Sequence, residues 1–174
     1  MLCENIVSDP VSHSISANEI AVVAEKIAAA SRPIIIAGLG AVNAGAKQAC
    51  IGLAEKSGAL LATTLPAKGL FHDQPFCLGV AGGYASDKAK AIFAKSDLVI
   101  GIGARLASHS FEGGQLTPNA FVVHLDVAPQ TYVQGRHAAD LLIKADAKYG
   151  ANALSAVLDR KTGWRTPTMQ QVTS

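Results

Sequence analysis

Pro33-Ile34-Ile35-Ile36-Ala37-Gly38-Leu39-Gly40 is a β-branched apolar run that stops at a pair of glycines. No polar residue alternates with the isoleucines, so both faces of the run can be buried. Short continuous runs of this kind are typical of strands in parallel sheets that are covered by helices on both sides. The run therefore predicts the first strand of an α/β domain, with a tight turn at the glycines.

Further runs along the chain have the same form, an apolar stretch followed by small or polar residues. They are Leu60–Ala62 before Thr63-Thr64, Leu98–Ile100 before Gly101-Ile102-Gly103-Ala104-Arg105, Phe121–Val123 before His124-Leu125-Asp126, and Leu141–Ile143 before Lys144-Ala145-Asp146. In open parallel sheets, ligands bind beyond the carboxyl ends of the strands, where these small and polar residues fall. We predict a three-layer α/β/α, Rossmann-like domain whose parallel sheet has about five to six strands.

Helical patterns separate the strand-like runs. Asn18 can cap a first helix. We predict further helices over 44–57 closed by Gly58, over 87–95 from a cap at Ser86 or Asp87, over 129–133, and over 146–158. Irregular stretches at 65–84 and 106–119 are expected to be functional or interfacial, because loops of this length are uncommon in compact domains.

The two ends of the chain differ from the middle. Residues 1–17 show no helical period, and residues 160–174 contain Gly163, Pro167 and several Ser, Thr and Gln. We therefore divide the chain into a lead-in over 1–17, a domain over 18–159 and a linker over 160–174. Both ends are predicted to connect the domain to further segments.

Composition narrows the class of protein. The net charge of +2 is too small to indicate a nucleic-acid partner or an anionic membrane surface, and no apolar stretch reaches the roughly 20 residues of a membrane span. Cys3, Cys50 and Cys77 fit no paired spacing, which favours reduced thiols in a cytoplasmic protein. Only 16% of the residues are charged and 49% are hydrophobic. This balance indicates either a surface covered by other domains or subunits, or simply an alanine-rich α/β protein.

The turn Gly38-Leu39-Gly40 is a candidate phosphate site. Glycine permits close backbone approach, and a helix N-terminus offers free N–H groups to a phosphate. Asn43 stands where a dinucleotide fingerprint has its third glycine, and the second strand ends at Thr63-Thr64 without an acidic residue. A hydride-transferring dehydrogenase is therefore disfavoured, and a tight turn without a ligand remains the alternative.

Two charged residues also follow strands. Arg105 comes directly after Gly103 and Ala104, where a guanidinium can bind a phosphate through two hydrogen bonds; a surface salt bridge is the alternative. Asp126 ends its strand and can accept hydrogen bonds from a ribose or an adenine amine; capping the next turn is the alternative.

We predict no catalytic residue and no metal site within the chain. The histidines show no metal-ligand spacing, and each is expected to be a surface or loop residue. Ser108, His109 and Ser110 are neighbours in sequence, which does not make a catalytic triad. The sequence also contains no nucleophile elbow, no HExxH motif and no P-loop.

The order of these segments resembles one family, the central domain of thiamin-diphosphate-dependent enzymes of the acetolactate synthase and decarboxylase type. The resemblance covers about Asn18 to Leu158. It rests on Ser31–Gly38, on Thr63-Thr64-Leu65-Pro66-Ala67-Lys68-Gly69-Leu70-Phe71, on Leu78-Gly79-Val80-Ala81-Gly82, on Ser96–Arg105, and on His124–Pro129. The combination is specific, whereas any one of these motifs alone is weak. The resemblance implies a DHS-like NAD/FAD-binding fold placed between two other domains.

The resemblance also implies what the domain binds. In several members it holds FAD in a structural, non-redox role or the ADP moiety of a coenzyme A substrate, and in others it binds nothing. Carried over by motif, the candidate contacts are Gly38, Gly40, Thr63, Thr64, Leu65, Gly79, Gly82, Gly103, Arg105, Asp126 and Asp140. The chain differs from flavin-binding members at Leu106–Ser110, where they have an acidic, Arg-containing segment, and at Ala145-Asp146, where they have Gly-Asp.

The expected function follows from the resemblance. The favoured interpretation is a non-catalytic central domain of a carboligase or decarboxylase acting on 2-oxo acids. Pyrimidine-binding and diphosphate-binding domains of the parent enzyme would hold thiamin diphosphate and Mg²⁺, and the parent is expected to be a homo-oligomer. This chain has no Gly-Asp-Gly motif of the kind that binds the diphosphate. The alternatives are a stand-alone FAD- or ADP-binding accessory subunit and, less favoured, an NAD-dependent deacetylase, for which no matching catalytic His motif or zinc pair is present.

Overall fold

The computed structural model describes residues 15–173, and the side chains of residues 15–170. The predicted lead-in over 1–17 lies almost wholly outside the described residues. The helices are α1 (Ala17–Ala29), α2 (Leu39–Asn43), α3 (Lys47–Ser57), α4 (Asp87–Phe93), α5 (Ser108–Phe111), α6 (Ala147–Val157) and α7 (Pro167–Thr173). The strands are β1 (Pro33–Ala37), β2 (Leu60–Thr63), β3 (Cys77–Val80), β4 (Leu98–Ile102), β5 (Phe121–Asp126), β6 (Tyr132–Val133), β7 (Arg136–His137) and β8 (Leu141–Lys144).

Six of the strands form one parallel sheet in the order β3-β2-β1-β4-β5-β8. Each of the predicted apolar runs is a strand of this sheet, and β3 adds an edge strand inside the stretch that we had predicted to be irregular. The order runs outward from the central pair β1 and β4 in both directions, as in doubly wound dinucleotide-binding folds. The predicted α/β architecture is therefore confirmed, and its topological switch point lies between β1 and β4.

Two apolar cores cover the sheet, one on each face. On one face Val23, Ile27, Leu53 and Leu154 of α1, α3 and α6 are buried against alternate strand residues. On the other face the core includes Phe93 of α4, Phe111 of α5 and Trp164. Because both faces are covered, a strand such as β1 is buried along its whole length, which explains its unbroken run of isoleucines.

Several predicted helix boundaries were wrong for local reasons. Ser16 caps α1 rather than Asn18, since the Ser16 hydroxyl accepts from the Glu19 amide while the Glu19 carboxylate accepts from the Ser16 amide. The predicted helix over 44–57 is instead α2 and α3, which are separated by a turn in which Gly45 has a φ of +61°. Gly58 ends α3 in the left-handed conformation, as predicted.

No helix forms over 129–133, where one was predicted. Tyr132–Val133 pairs instead with Arg136–His137 as a small antiparallel hairpin, β6–β7. Its turn contains Gln134 with a φ of +53° and Gly135 with a φ of +73°, which are the backbone conformations that a tight two-residue hairpin turn requires. The turn chemistry at Gln134-Gly135 was the signal that the sequence analysis missed.

The C-terminal segment packs on the domain. Trp164 is only 7% exposed, and its amide donates to the Gly58 carbonyl over 3.1 Å. The Lys161 ammonium donates to the carbonyl of Ile27 over 2.6 Å and also to the carbonyls of Ala28 and Ala30 at the end of α1. Residues 160–166 thus pack against the domain instead of extending into solvent. The domain boundary between residues 159 and 160 stays a prediction.

Candidate functional site

The loops that follow β1 and β4 touch through their backbones at the switch point. The Gly40 amide donates to the Gly103 carbonyl over 2.9 Å, and the Gly38 amide donates to the Ile102 carbonyl over 3.0 Å. A Cβ on Gly38 would overlap the Gly103 carbonyl oxygen and Ala104, and one on Gly40 would lie 2.9 Å from the Gly103 Cα. Glycine is therefore required here for the contact between the two loops.

This contact changes how a ligand can be held. The amides of Gly38 and Gly40 and the Gly103 carbonyl are used by the protein itself. A ligand at the carboxyl edge, by which we mean the edge where the sheet strands end, has to lie over these two loops rather than between them. The packing role for Gly38, Gly40 and Gly103 is observed, while their contact with a nucleotide stays a prediction.

Arg105 is exposed and stands at the carboxyl edge beside β4. Among residues 15–170 its guanidinium forms no salt bridge, so the surface ion pair that was its alternative role has no partner there. It borders a cavity of about 290 Å³ together with Ala107, His109, Gln130 and Gln134. A guanidinium with free donors beside a cavity is suited to a phosphate.

Asp126 lies at the end of β5 and is partly buried. Its Oδ1 accepts from the Ala128 amide over 3.0 Å, which is the turn-capping role that we had named as an alternative. The Asp126 Oδ2 lies 3.9 Å from His124 Nε2, so this oxygen keeps capacity for a further donor.

His124 is a residue that the sequence analysis misplaced. It was expected at the surface or in a loop, but it is 3% exposed, because its strand position faces the second core. Its Nδ1 accepts from the Gln130 amide over 3.2 Å, and burial lowers the pKa of His124 below its usual value. The neutral ring therefore carries its proton on Nε2, an atom that has no hydrogen-bond partner among the described residues.

The carboxyl edge at β2 is formed by Thr63, which ends the strand, and by Thr64 and Leu65, which follow it. Both threonines are buried and take part in backbone hydrogen bonds, from the Thr64 amide to the Ala37 carbonyl and from the Ala81 amide to the Thr63 carbonyl. The Leu65 side chain is 41% exposed and borders a cavity of about 470 Å³.

The two remaining glycines of the candidate set have different roles. Gly79 has a φ of +78° and no atom within 4 Å of where a Cβ would stand, so it opens onto the cavity beside Leu65. Gly82 has a φ of +86°, and a Cβ there would overlap the His109 carbonyl oxygen. Gly82 therefore brings the loop after β3 against α5.

Asp140 is placed apart from the other candidates. It precedes β8, and its Oδ2 accepts from the Val122 amide over 2.8 Å at the start of β5. Asp126 lies at the other end of β5, about 13 Å along the strand. The structure thus gathers the candidates that follow strand ends at the carboxyl edge and leaves Asp140 at the opposite end of the sheet.

The carboxyl edge also carries exposed apolar side chains that the sequence analysis did not single out. They follow the strand ends: Leu39, Val42, Leu65, Tyr84 and Val127, which are between 40% and 72% exposed. Apolar groups gathered at one edge are typical of a surface that contacts a ring system or another protein segment.

Other kinds of site find little support in the described part of the chain. Within residues 15–173, no group of three or more His, Cys, Asp or Glu side chains is arranged to hold a metal ion. None of the helices described there is long and apolar enough to cross a bilayer.

Comparison with known proteins agrees with the observed fold and shows which protein family the chain resembles. The family model "Thiamine pyrophosphate enzyme, central domain" matches residues 20–157. A probable acetolactate synthase large subunit of Methanocaldococcus jannaschii is 33% identical over 137 residues, which are 78% of this chain and 23% of that protein. A probable 2-ketoarginine decarboxylase of Pseudomonas aeruginosa is 30% identical over 154 residues, which are 86% of this chain and 26% of that protein.

A solved structure agrees on the fold. The crystal structure of benzoylformate decarboxylase from Polynucleobacter necessarius superimposes with a TM-score of 0.70, at 18% identity, over 92% of this chain and 31% of that one. The molecule is thus a Rossmann-like α/β domain of the doubly wound type. With most of its length matched by the family model, the chain belongs to the thiamine pyrophosphate enzyme central-domain family. It spans about a quarter of the length of the curated relatives that it matches.

Proposed function

We propose that this chain serves as the central, non-catalytic domain of a larger thiamin-diphosphate-dependent carboligase or decarboxylase that acts on 2-oxo acids. The observation that carries the proposal is the family match over residues 20–157, together with acetolactate synthase and decarboxylase relatives several times longer than the chain. In this proposal the flanking domains bind thiamin diphosphate and Mg²⁺, and thiamin diphosphate supplies the carbanion chemistry. The chain's own part is to hold those domains in place.

We further propose that the carboxyl edge binds an ADP moiety, either of FAD or of a coenzyme A substrate. Three side chains at this edge suit an ADP moiety. Arg105 has no ion-pair partner among the described residues, and Asp126 keeps one oxygen without a close donor. Leu39 is 50% exposed beside the switch point. Arg105 would hold the diphosphate, Asp126 would accept from a ribose hydroxyl or the adenine amine, and apolar groups would contact the rings. A bound FAD would be structural and would take no part in electron transfer.

Two further features belong to the proposal. The described cysteines, Cys50 and Cys77, are free, which favours a reducing compartment such as the cytoplasm. The exposed apolar side chains at the carboxyl edge favour contact with flanking domains or with another subunit of a homo-oligomer.

A stand-alone accessory subunit that binds FAD or ADP is the second candidate function. It is favoured by the packing of residues 160–166 onto the domain, since Trp164 is buried in the domain's own core rather than left for contact with a neighbour.

One experiment separates the two candidates. The reading frame that encodes this segment is determined on both sides, and its complete product is purified and assayed for consumption of 2-oxo acids with and without thiamin diphosphate. The proposal expects a product several times longer than this chain, with activity that depends on the added coenzyme. A product of this length alone that binds ADP without turnover would support the accessory subunit instead.

A further inference from the structure

A basic cavity lies at the end of the sheet opposite to the carboxyl edge. It has a volume of about 510 Å³ and is formed between the last turns of α3, the residues just before β3, and the C-terminal segment. We call it the Arg165 cavity; its lining includes Glu55, Phe76, Arg160, Lys161, Thr162 and Arg165. It shares no lining residue with the cavities beside Arg105 and Leu65.

Most charged groups of the Arg165 cavity already have partners. The Arg160 Nη2 donates to the Glu55 Oε2 over 3.0 Å, which pairs the one carboxylate of the lining. The Lys161 ammonium is held by backbone carbonyls at the end of α1. These carbonyls satisfy its donors. Burial lowers the pKa of Lys161 and the nearby Asp97 carboxylate raises it, so this cation also has a counter-charge outside the cavity.

Arg165 is the exception. Within the described residues its guanidinium forms no salt bridge and no side-chain hydrogen bond, and its Nη1 is buried without a partner. The guanidinium carbon lies 4.8 Å from the centre of the Phe76 ring. Stacking on a ring engages the face of the guanidinium and leaves its N–H edge free.

The backbone holds Arg165 in this position. The Arg165 amide donates to the Thr162 carbonyl over 2.9 Å, and the neighbouring Trp164 is buried in the second core. Gly163 has a φ of +50°, and a Cβ there would meet the Gly58 backbone, so the segment packs closely against the end of α3. A fixed guanidinium is better suited to bind an anion than one on a free surface side chain, because less rotamer freedom is lost on binding.

The charges around Arg165 also favour the binding of an anion in this cavity. Burial lowers the pKa of Arg165, the nearby Glu55 raises it, and the charge of Arg160 lowers it further. Among the described residues, the nearby carboxylate of Glu55 is already paired with Arg160, so Arg165 is a partly buried cation without a carboxylate partner of its own. An oxyanion in the cavity would supply the missing charge and would accept from the N–H groups of Arg165 other than the buried Nη1.

We propose that the Arg165 cavity binds a phosphate group, with the guanidinium edge of Arg165 as its main contact and Arg160 and Thr162 at its rim. A planar guanidinium donates two parallel hydrogen bonds to a phosphate, which a backbone site does not. The volume of the cavity exceeds that of inorganic phosphate, so a phosphate monoester also fits.

The test measures binding of inorganic phosphate and of glycerol phosphate by calorimetry at constant ionic strength. The chain is compared with Arg165→Gln and with the matched control Arg32→Gln, which removes an exposed guanidinium that lines neither this cavity nor the one beside Arg105. We expect saturable binding that weakens about tenfold or more in Arg165→Gln and is unchanged in Arg32→Gln. Tighter binding of glycerol phosphate would identify an organic phosphate as the ligand, and equal binding would identify inorganic phosphate.

A second readout does not depend on the stability of a variant. In the unsubstituted chain, the Arg165 Nε–H resonance is followed by nuclear magnetic resonance during the phosphate titration, and it is assigned from its absence in Arg165→Lys. We expect this resonance to shift with the same midpoint as the calorimetric signal. The proposal is overturned if phosphate does not bind in the millimolar range, if this resonance does not move, or if Arg165→Gln and Arg32→Gln weaken binding equally.

Discussion

The Gly40 amide donates a hydrogen bond to the Gly103 carbonyl, with 2.9 Å between nitrogen and oxygen. This bond joins the loops that follow the two central strands of the sheet, at the point where the strand order reverses. The glycines at this point therefore have a structural role that is independent of any ligand. Arg105 follows Gly103 by two residues, so its backbone lies next to this contact.

Substitution of Gly38 by alanine tests this packing. The φ of Gly38 is −113°, which alanine adopts freely, so any loss of stability is steric. Because the added Cβ would overlap the Gly103 carbonyl oxygen, we expect the free energy of unfolding to fall by about 1–3 kcal/mol. Urea denaturation measures the change. Gly83→Ala is the matched control, since a Cβ at Gly83 meets nothing within 4 Å and should leave stability unchanged. Equal losses in the two variants would contradict the close approach of the two loops.

The C-terminal segment offers a second prediction. Trp164 is the one tryptophan of the sequence, and it is buried in the second core. We expect the domain to unfold in a single cooperative transition, with tryptophan fluorescence and far-ultraviolet circular dichroism changing at the same denaturant concentration. A fluorescence change that comes well before the loss of secondary structure would mean that residues 160–166 detach from the domain, as a linker would.

Cys50 is expected to make the stability of the domain depend on pH in the alkaline range. Burial raises the pKa of the Cys50 thiol from 9.0 to about 12. The unfolded chain releases this proton near the ordinary value, so between pH 9 and pH 12 the unfolded state binds fewer protons than the native state. The free energy of unfolding contributed by this group should therefore fall as the pH rises through that range.

The comparison with Cys50→Ala isolates this contribution from the other groups that titrate there. The parent chain should lose more stability than the variant between pH 8.5 and pH 10.5, which equilibrium denaturation at several pH values measures. Parallel pH profiles would show that the pKa of the Cys50 thiol is the same in the native and unfolded states, which contradicts the effect of burial.

The chain alone is expected to be inactive. It has no Gly-Asp-Gly motif, and no group of acidic or histidine side chains in its described part is arranged to bind a metal ion. Incubation with pyruvate, thiamin diphosphate and Mg²⁺ should give no carbon dioxide or acetolactate above a buffer blank. Turnover that disappears on heat denaturation would place catalytic groups within this chain and would contradict the proposal that it is a non-catalytic domain.

The sequence predicted the sheet better than the elements between its strands. Runs such as Ile34–Ile36 are typical of strands that are buried on both faces, and their β-branched residues and short length favour a strand over a buried helix. The edge strand Cys77–Val80 was missed, since it is only partly buried and Gly79 interrupts it. The hairpin at Tyr132–His137 was missed because its turn residues, Gln134 and Gly135, were not weighed as a turn signal.

The candidate site was predictable in part. Residues after strand ends, such as Gly38 and Arg105, could be placed at one edge because parallel strands share their direction. Asp140 could not be placed, since it precedes its strand and its side chain caps the Val122 amide at the other end of the sheet. Arg165 gave no signal in the sequence, because its importance depends on Phe76 and on the burial of Trp164.

Calorimetric titration with ADP tests the carboxyl edge as a nucleotide site most directly. The chain is compared with Arg105→Ala, with Arg105→Lys, and with the control Arg32→Ala, which removes an exposed guanidinium at the opposite end of the sheet. We expect ADP to bind the chain and the control equally, to bind Arg105→Ala about ten- to hundredfold more weakly, and to bind Arg105→Lys with intermediate affinity, because an ammonium does not reproduce the planar fork. Equal affinities in all four proteins, or no binding of ADP to the unsubstituted chain, would contradict a nucleotide site at this edge.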